Sequence, residues 1–130
     1  QTTQKFAKSK NVIWITVISS AEGKQGYIQP NDAVNTFASF GSFPDHILVD
    51  ENGDLGKKFN AKTTPHIFIA DKNKNIVYQG AIDDAGGSRF WTTDLNQSTN
   101  FVKKVINDIK SNKPLSVSKT RPYGCSVKYG

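Results

Sequence analysis

The chain has no methionine and a single cysteine, Cys125, among its 130 residues. One thiol excludes an internal disulfide and a cysteine-rich zinc site, and no metal or other cofactor is expected. It leaves a free reactive thiol, an intermolecular disulfide, or a partner cysteine outside these residues. No apolar run approaches the roughly 20 residues that span a bilayer, so no membrane partner is expected. The opening Gln1-Thr2-Thr3-Gln4-Lys5 is polar with no apolar stretch directly behind it, which argues against a signal peptide. With no initiating Met, the start at Gln1 is expected to be a processing, cloning or proteolysis boundary. Repeats and composition breaks are also missing, so one domain is expected over residues 1–130.

The net charge is +6, which invites a nucleic-acid reading. The lysines are scattered, however, from Lys8 and Lys10 through Lys57, Lys58 and Lys62 to Lys103 and Lys104. Acidic residues are mixed among them, and no basic run is interleaved with stacking aromatics. A solvated surface is the expectation, with no nucleic-acid partner.

Residues 1–9 read as the tail of a helix, closed at Lys10-Asn11 because Asn tolerates the left-handed conformation of helix ends. The nearly continuous apolar run Val12–Ile18 predicts a strand buried on both faces, as in a parallel sheet. Pro30-Asn31-Asp32 opens a helix with Val34, Phe37, Ala38 and Gly41 at helical spacing. His46–Asp50 predicts a strand, Glu51–Asp54 a tight turn, and Leu55–Phe59 a short helix. Thr63-Thr64-Pro65 leads into a buried strand, His66–Ala70. Asp71–Asn75 turns the chain so that Ile76–Tyr78 returns antiparallel. Ala81–Gln97 reads as a long polar loop, and Ser98–Ser111 as a closing helix with Phe101, Val102, Val105, Ile106 and Ile109 on one face. Residues 112–130 form a tail without periodicity. Trp14, Phe37, Phe68 and Phe101 are read as core. The order β-α-β-α-β-β-α predicts an α/β fold, a layered sheet with flanking helices.

Several segments taken together carry a resemblance. They are Trp14–Ser20 running into Ala21-Glu22-Gly23-Lys24-Gln25-Gly26-Tyr27, then Leu48-Val49-Asp50-Glu51-Asn52-Gly53, then Ala61-Lys62-Thr63-Thr64-Pro65-His66. Tyr78-Gln79-Gly80-Ala81-Ile82-Asp83-Asp84 and Arg121-Pro122-Tyr123-Gly124-Cys125-Ser126-Val127-Lys128-Tyr129 complete the set. In this order they resemble bacterial redoxin-domain proteins of the alkyl hydroperoxide reductase and thiol-specific antioxidant type. The resemblance implies the C-terminal part of a thioredoxin-like fold and a thiol-based oxidoreductase acting on a peroxide or on a thiol or disulfide of a substrate protein. It implies that Pro65 is cis and that the backbone of Thr64 before it faces the substrate.

Members of that family carry a nucleophilic cysteine at the start of the helix that follows the first core strand, where the helix N-terminus lowers the thiol pKa. The resemblance implies that the present chain begins in or after that helix and lacks the strand and the cysteine. The lost strand would lie between Val12–Ser19 and His66–Ala70. Three remedies are then open: the missing segment bound as a separate peptide, a strand exchanged with a second copy, or direct pairing of the two strands. Many relatives carry export signals, which implies a periplasmic location; the residues themselves leave the compartment open.

Alternatives stand beside these expectations. Cys125 is either a resolving thiol that attacks an oxidised cysteine of the missing segment or a bystander on a mobile tail, with Tyr123 and Tyr129 available to dock that tail. His66 is expected to be structural, although it could bind metal or move protons. Asp83-Asp84 is read as a solvated loop ahead of a cation site. Gly23-Lys24-Gln25-Gly26 lacks the full pattern of a phosphate loop. The protein as a whole is then an enzyme, a non-catalytic binding module that offers its Thr64-Pro65 edge to a partner strand, or an inactive fragment.

Overall fold

The computed structural model describes residues 2–84 and 99–129. They form a mixed α/β protein that divides into two units, one of residues 1–61 with 127–130 and one of residues 62–126.

The first unit begins with α1 (Thr2–Ser9), which buries Thr3 and Ala7 on one face, four residues apart. Asn11, at φ 59°, closes it as expected, letting the Val12 N–H reach back to the Ala7 carbonyl at 2.9 Å. The Gln4 side chain donates to Ser42 Oγ at 2.9 Å and accepts the Phe43 N–H at 3.1 Å. Strand β1 (Ile15–Ile18) pairs in parallel with β2 (His46–Val49), in the register Ile15↔His46 to Ile18↔Val49. A 3₁₀ turn at Pro30–Asp32 and α2 (Ala33–Ser39) lie in the crossover.

The strand is shorter than expected, and one of its faces is open rather than buried. Ile18 is buried, but Ile15 and Val17 are 53% and 39% exposed. A continuous apolar run cannot reveal how many neighbours a strand has, and among the described residues this sheet has two strands. Of the apolar α2 residues, Ala33 is buried while Val34 lies 68% exposed.

Helix α3 (Asp54–Lys58) starts over Gly53, at φ 73°. The Asp50 carboxylate accepts the Ser19 hydroxyl at 2.8 Å and the N–H groups of Leu55 and Gly56 at 3.2 and 2.9 Å. A charged acceptor thus satisfies amides that a helix start leaves unpaired.

The second unit holds a short strand β3 (Thr63–Thr64) and the hairpin of β4 (Ile67–Ala70) with β5 (Ile76–Gly80). The hairpin is antiparallel, as the turn residues predict. Asp71 Oδ1 accepts the N–H groups of Asn73 and Asn75 at 2.9 and 3.0 Å, and Lys74 sits at φ 67°. Helix α4 (Phe101–Lys110) is capped by Asn100, whose side chain accepts the Lys103 N–H at 2.9 Å. It buries Val102, Val105 and Ile106, spaced three and four residues apart. Tyr78 is fully buried, its hydroxyl donating to the Ala81 carbonyl at 2.5 Å.

Trp14, Phe37, Phe68 and Phe101 are half-buried and do not form the deepest core, which consists of Tyr78 and the aliphatic residues of α4 in the second unit and small residues such as Ala7 and Ala33 in the first. These four rings keep an accessible edge, whereas the Tyr78 ring is fully enclosed. The polar loop expected over Ala81–Gln97 lies, from residue 85 onward, outside the described residues, as does Ser98.

The tail is ordered by pairing. Lys119 bridges Gln79, and Cys125–Ser126 form a last strand, β6. Among the described residues, β1 and β4 belong to separate two-stranded sheets.

Candidate thiol site

The site is built where β3 meets β6 in the second unit. The two strands run antiparallel with Thr63 opposite Ser126 and Thr64 opposite Cys125. The Thr64–Pro65 peptide is cis, as the resemblance implies. Cys125 stands some 60 positions from Thr64 and Pro65 in the sequence, and the ladder sets it opposite Thr64, next to Pro65.

Local contacts fix the loop. Thr63 Oγ1 donates to the Pro65 carbonyl at 2.8 Å. The Lys62 N–H donates to His66 Nδ1 at 3.2 Å, and the His66 ring stacks on Phe68 at 4.4 Å between centroids. Burial, with a smaller push from the Lys62 charge, lowers the His66 pKa below that of a free imidazole. A neutral ring that accepts a backbone N–H and stacks on its neighbour fits the structural role expected of it.

Gly124 is a determinant that sequence reading passed over. It sits at φ 134°, and a Cβ there would run into the Thr64 carbonyl oxygen, with Pro65 Cδ 3.3 Å away. Only glycine lets the tail backbone come this close to the loop. A glycine just before the lone cysteine was the available signal.

The tail reaches the site along a chain of anchors. Gln79 exchanges backbone bonds with Ser118 and Thr120, at 3.1 and 3.0 Å. Thr120 Oγ1 accepts the Ala81 N–H at 2.9 Å and lies 2.6 Å from the Tyr78 hydroxyl. The Tyr123 hydroxyl donates to Asp83, and Asp84 accepts the Thr99 N–H. The Asp pair therefore serves loop structure, and no group of metal-binding side chains occurs among the described residues. Past β6, in the first unit, the Lys128 carbonyl accepts the Ala21 N–H at 2.9 Å. There the Tyr129 hydroxyl donates to the Ala61 carbonyl at 2.8 Å. Both tyrosines flanking Cys125 thus dock the tail, and the thiol does not ride on a loose end. Cys125 is a free, exposed cysteine. A sulfur so placed can attack, or be attacked by, a sulfur brought to it from outside.

No protein-family model and no curated protein matches the chain. Solved structures do. A crystal structure of an uncharacterized conserved protein from Geobacillus kaustophilus superposes with a TM-score of 0.79 at 20% identity, over 99% of this chain and 67% of that one. A hypothetical protein from Sinorhizobium meliloti 1021 gives 0.74 at 20% identity, over 99% and 69%. The chain therefore shares its fold with longer bacterial proteins, spanning about two thirds of each.

Among the described residues no helix is long and apolar enough to cross a membrane.

Proposed function

We propose that this chain is the larger part of a thiol-based oxidoreductase of thioredoxin-like fold. In this reading Cys125 is its resolving thiol, and Thr64-Pro65 is the loop on which a partner sulfur arrives. The observation that carries the reading is the Thr64↔Cys125 pairing beside Pro65, which holds an exposed thiol at a fixed place. A fixed, accessible thiol suits exchange chemistry better than a buried, inert one.

The nucleophilic cysteine comes from outside these residues. If peroxide is the oxidant, that cysteine is first converted to a sulfenic acid. The Cys125 sulfur then attacks the sulfenic sulfur, an S–S bond forms, and the displaced hydroxide leaves as water with the thiol proton. If a protein disulfide is the substrate, Cys125 thiolate resolves the mixed disulfide and releases the other cysteine as thiolate. In either case an external dithiol returns the two electrons.

The binding-module alternative is weakened by β6. One backbone edge of β3 is already paired with the chain's own tail, which leaves a partner strand a single edge.

Peroxide treatment of cells that make this protein, followed by non-reducing mass analysis, tests the reading. The expected product is a disulfide through Cys125 that disappears in C125S. A Cys125 that stays reduced while cellular thiols oxidise refutes it. The chain by itself should show no dithiol reductase turnover with insulin, because cycling within one chain needs two cysteines.

A further inference from the structure

Asparagine is followed by glycine at a single place in the chain, Asn52-Gly53, in the turn between β2 and α3. This is the pair most open to an internal reaction, because glycine has no side chain to shield its amide nitrogen. The Gly53 amide gives its proton to a base, and its nitrogen bonds to Asn52 Cγ. The Cγ–Nδ2 bond breaks, and the side-chain nitrogen leaves as ammonia. Water then opens the cyclic imide at either carbonyl, which leaves aspartate or isoaspartate in place of Asn52. Nothing is oxidised or reduced, and the only co-reactant is water.

The turn treats its two residues differently. Asn52 is exposed, so its side chain is free to move and water has access, whereas Gly53 is buried. The Gly53 N–H donates to the Asp50 carbonyl at 3.0 Å, a bond that must open before a base can take the proton. The Tyr129 ring lies against this residue: a Cβ added to Gly53 would run into Cδ1 and come within 3.0 Å of Cε1. That ring is itself anchored. Its hydroxyl donates to the Ala61 carbonyl at 2.8 Å, and the Lys57 ammonium sits 5.3 Å from its centroid. The neighbouring Lys128 carbonyl accepts the Ala21 N–H at 2.9 Å. All these residues belong to the first unit.

We propose that Asn52-Gly53 is a self-modification site held shut by Tyr129, and that its reaction in turn releases residues 127–129. The reaction proceeds from the locally opened turn, so whatever keeps Tyr129 seated slows it. Its products work back on the seat. Aspartate adds a charge to a turn that already holds Asp50, Glu51 and Asp54, and isoaspartate inserts a methylene into the backbone just before Gly53. Neither step can be reversed by refolding, so the turn records how long the tail has been undocked. The site does not depend on the thiol reading, because no sulfur takes part.

The test incubates the full chain in mildly alkaline buffer and follows the peptide containing Asn52 by mass spectrometry, with chromatography separating the aspartyl and isoaspartyl forms. Tyr129→Ala should speed the loss of Asn52 about 10-fold, and urea at least as much, since local opening sets the rate. Tyr129→Phe keeps the ring and loses only the Ala61 bond, so it should give a smaller rise of about 3-fold and serves if Tyr129→Ala does not fold. Val105→Ala, which weakens the second unit, should leave the rate unchanged. In the isoaspartyl product, amide exchange at Ala21 should be about 10-fold faster than in the unmodified chain. The proposal is overturned if neither Tyr129 variant differs from the wild type, if Val105→Ala accelerates the reaction equally, or if Asn52 survives even in urea. Unchanged exchange at Ala21 in the product overturns the release of the tail.

Discussion

The β1–β2 and β4–β5 strand pairs are built from similar residues and end up differently. In the second unit, the β4–β5 hairpin closes through a five-residue turn, and the same unit buries Tyr78, Val102, Val105 and Ile106. In the first unit, β1 and β2 pair in parallel across a long crossover and leave Ile15, Val17 and Leu48 in water. An antiparallel pair can be completed by the turn that makes it. A parallel pair needs its crossover and usually further strands as well, so its completeness is not a local property.

Substitutions that strike the better-packed unit should therefore cost most. Gly80 lies at φ 143°, and an added Cβ would meet Thr120 Oγ1 and the Thr120 backbone, with its nitrogen 2.8 Å away. Gly80→Ala should destabilise by about 3 kcal/mol or more, combining backbone strain with a clash that backbone atoms cannot relieve. Gly41→Ala in the first unit meets nothing within 4 Å and should cost only about 1 kcal/mol, from its positive φ alone. Urea denaturation of both variants measures the difference; equal losses would break the comparison.

The next largest contrast comes from valines. Val105 is fully buried and Val17 is 39% exposed. Val105→Ala should cost about 2 kcal/mol through lost burial and a residual cavity, and Val17→Ala well under about 1. If Val17→Ala costs as much in the 130-residue chain, its face is covered after all.

What could be read in advance follows the same division. The Asp71–Asn75 turn, the hairpin behind it, the Asn11 closure of α1 and the apolar stripe of α4 are local patterns, and each was legible. Pro65 was legible through its resemblance. The exposure of Ile15 and Val17 was not, since a run such as Ile-Trp-Ile-Thr-Val-Ile has the composition of a buried strand whatever its neighbours supply. Nor was β6: two residues carry no periodicity, and their partners lie far upstream, Thr64 opposite Cys125 and Thr63 opposite Ser126. Three elements of the candidate site, Thr64, Pro65 and Cys125, were found in the sequence, but their meeting depends on Gly124 and on the anchors at Thr120 and Tyr123.

Acid provides a milder probe of the first unit. Burial pushes the Asp50 pKa up, but hydrogen bonds from Gly56, Ser19, Leu55 and Asp54 outweigh it, so the carboxyl titrates below 3.8. A folded-state pKa below the unfolded value means that ionised Asp50 favours the folded form. That contribution is complete above 3.8 and is lost as pH falls through the lower folded value. Asp50→Asn should cost about 1 kcal/mol at neutral pH and flatten this acid limb, followed by denaturation at a series of pH values. An unchanged acid limb would show that other carboxylates control it.

The smallest effect should come from the residue of greatest chemical interest. Cys125 is exposed, so C125S should change stability by less than about 0.5 kcal/mol. A larger loss would mean that the thiol supports the fold and would blur the separation between scaffold and site.

Residues 127–129 belong to the first unit although they are made long after the rest of it. Ala21 and Ala61 receive their partners from Lys128 and Tyr129, and the Tyr129 ring lies within 3.0 Å of where a Cβ on Gly56 would be. During synthesis, residues 1–61 are made before residues 62–126, and those positions stay open until residues 127–129 follow. Of the two units, the one translated earlier is thus the last to be finished, and in the interval its exposed aliphatic residues stay open to other chains.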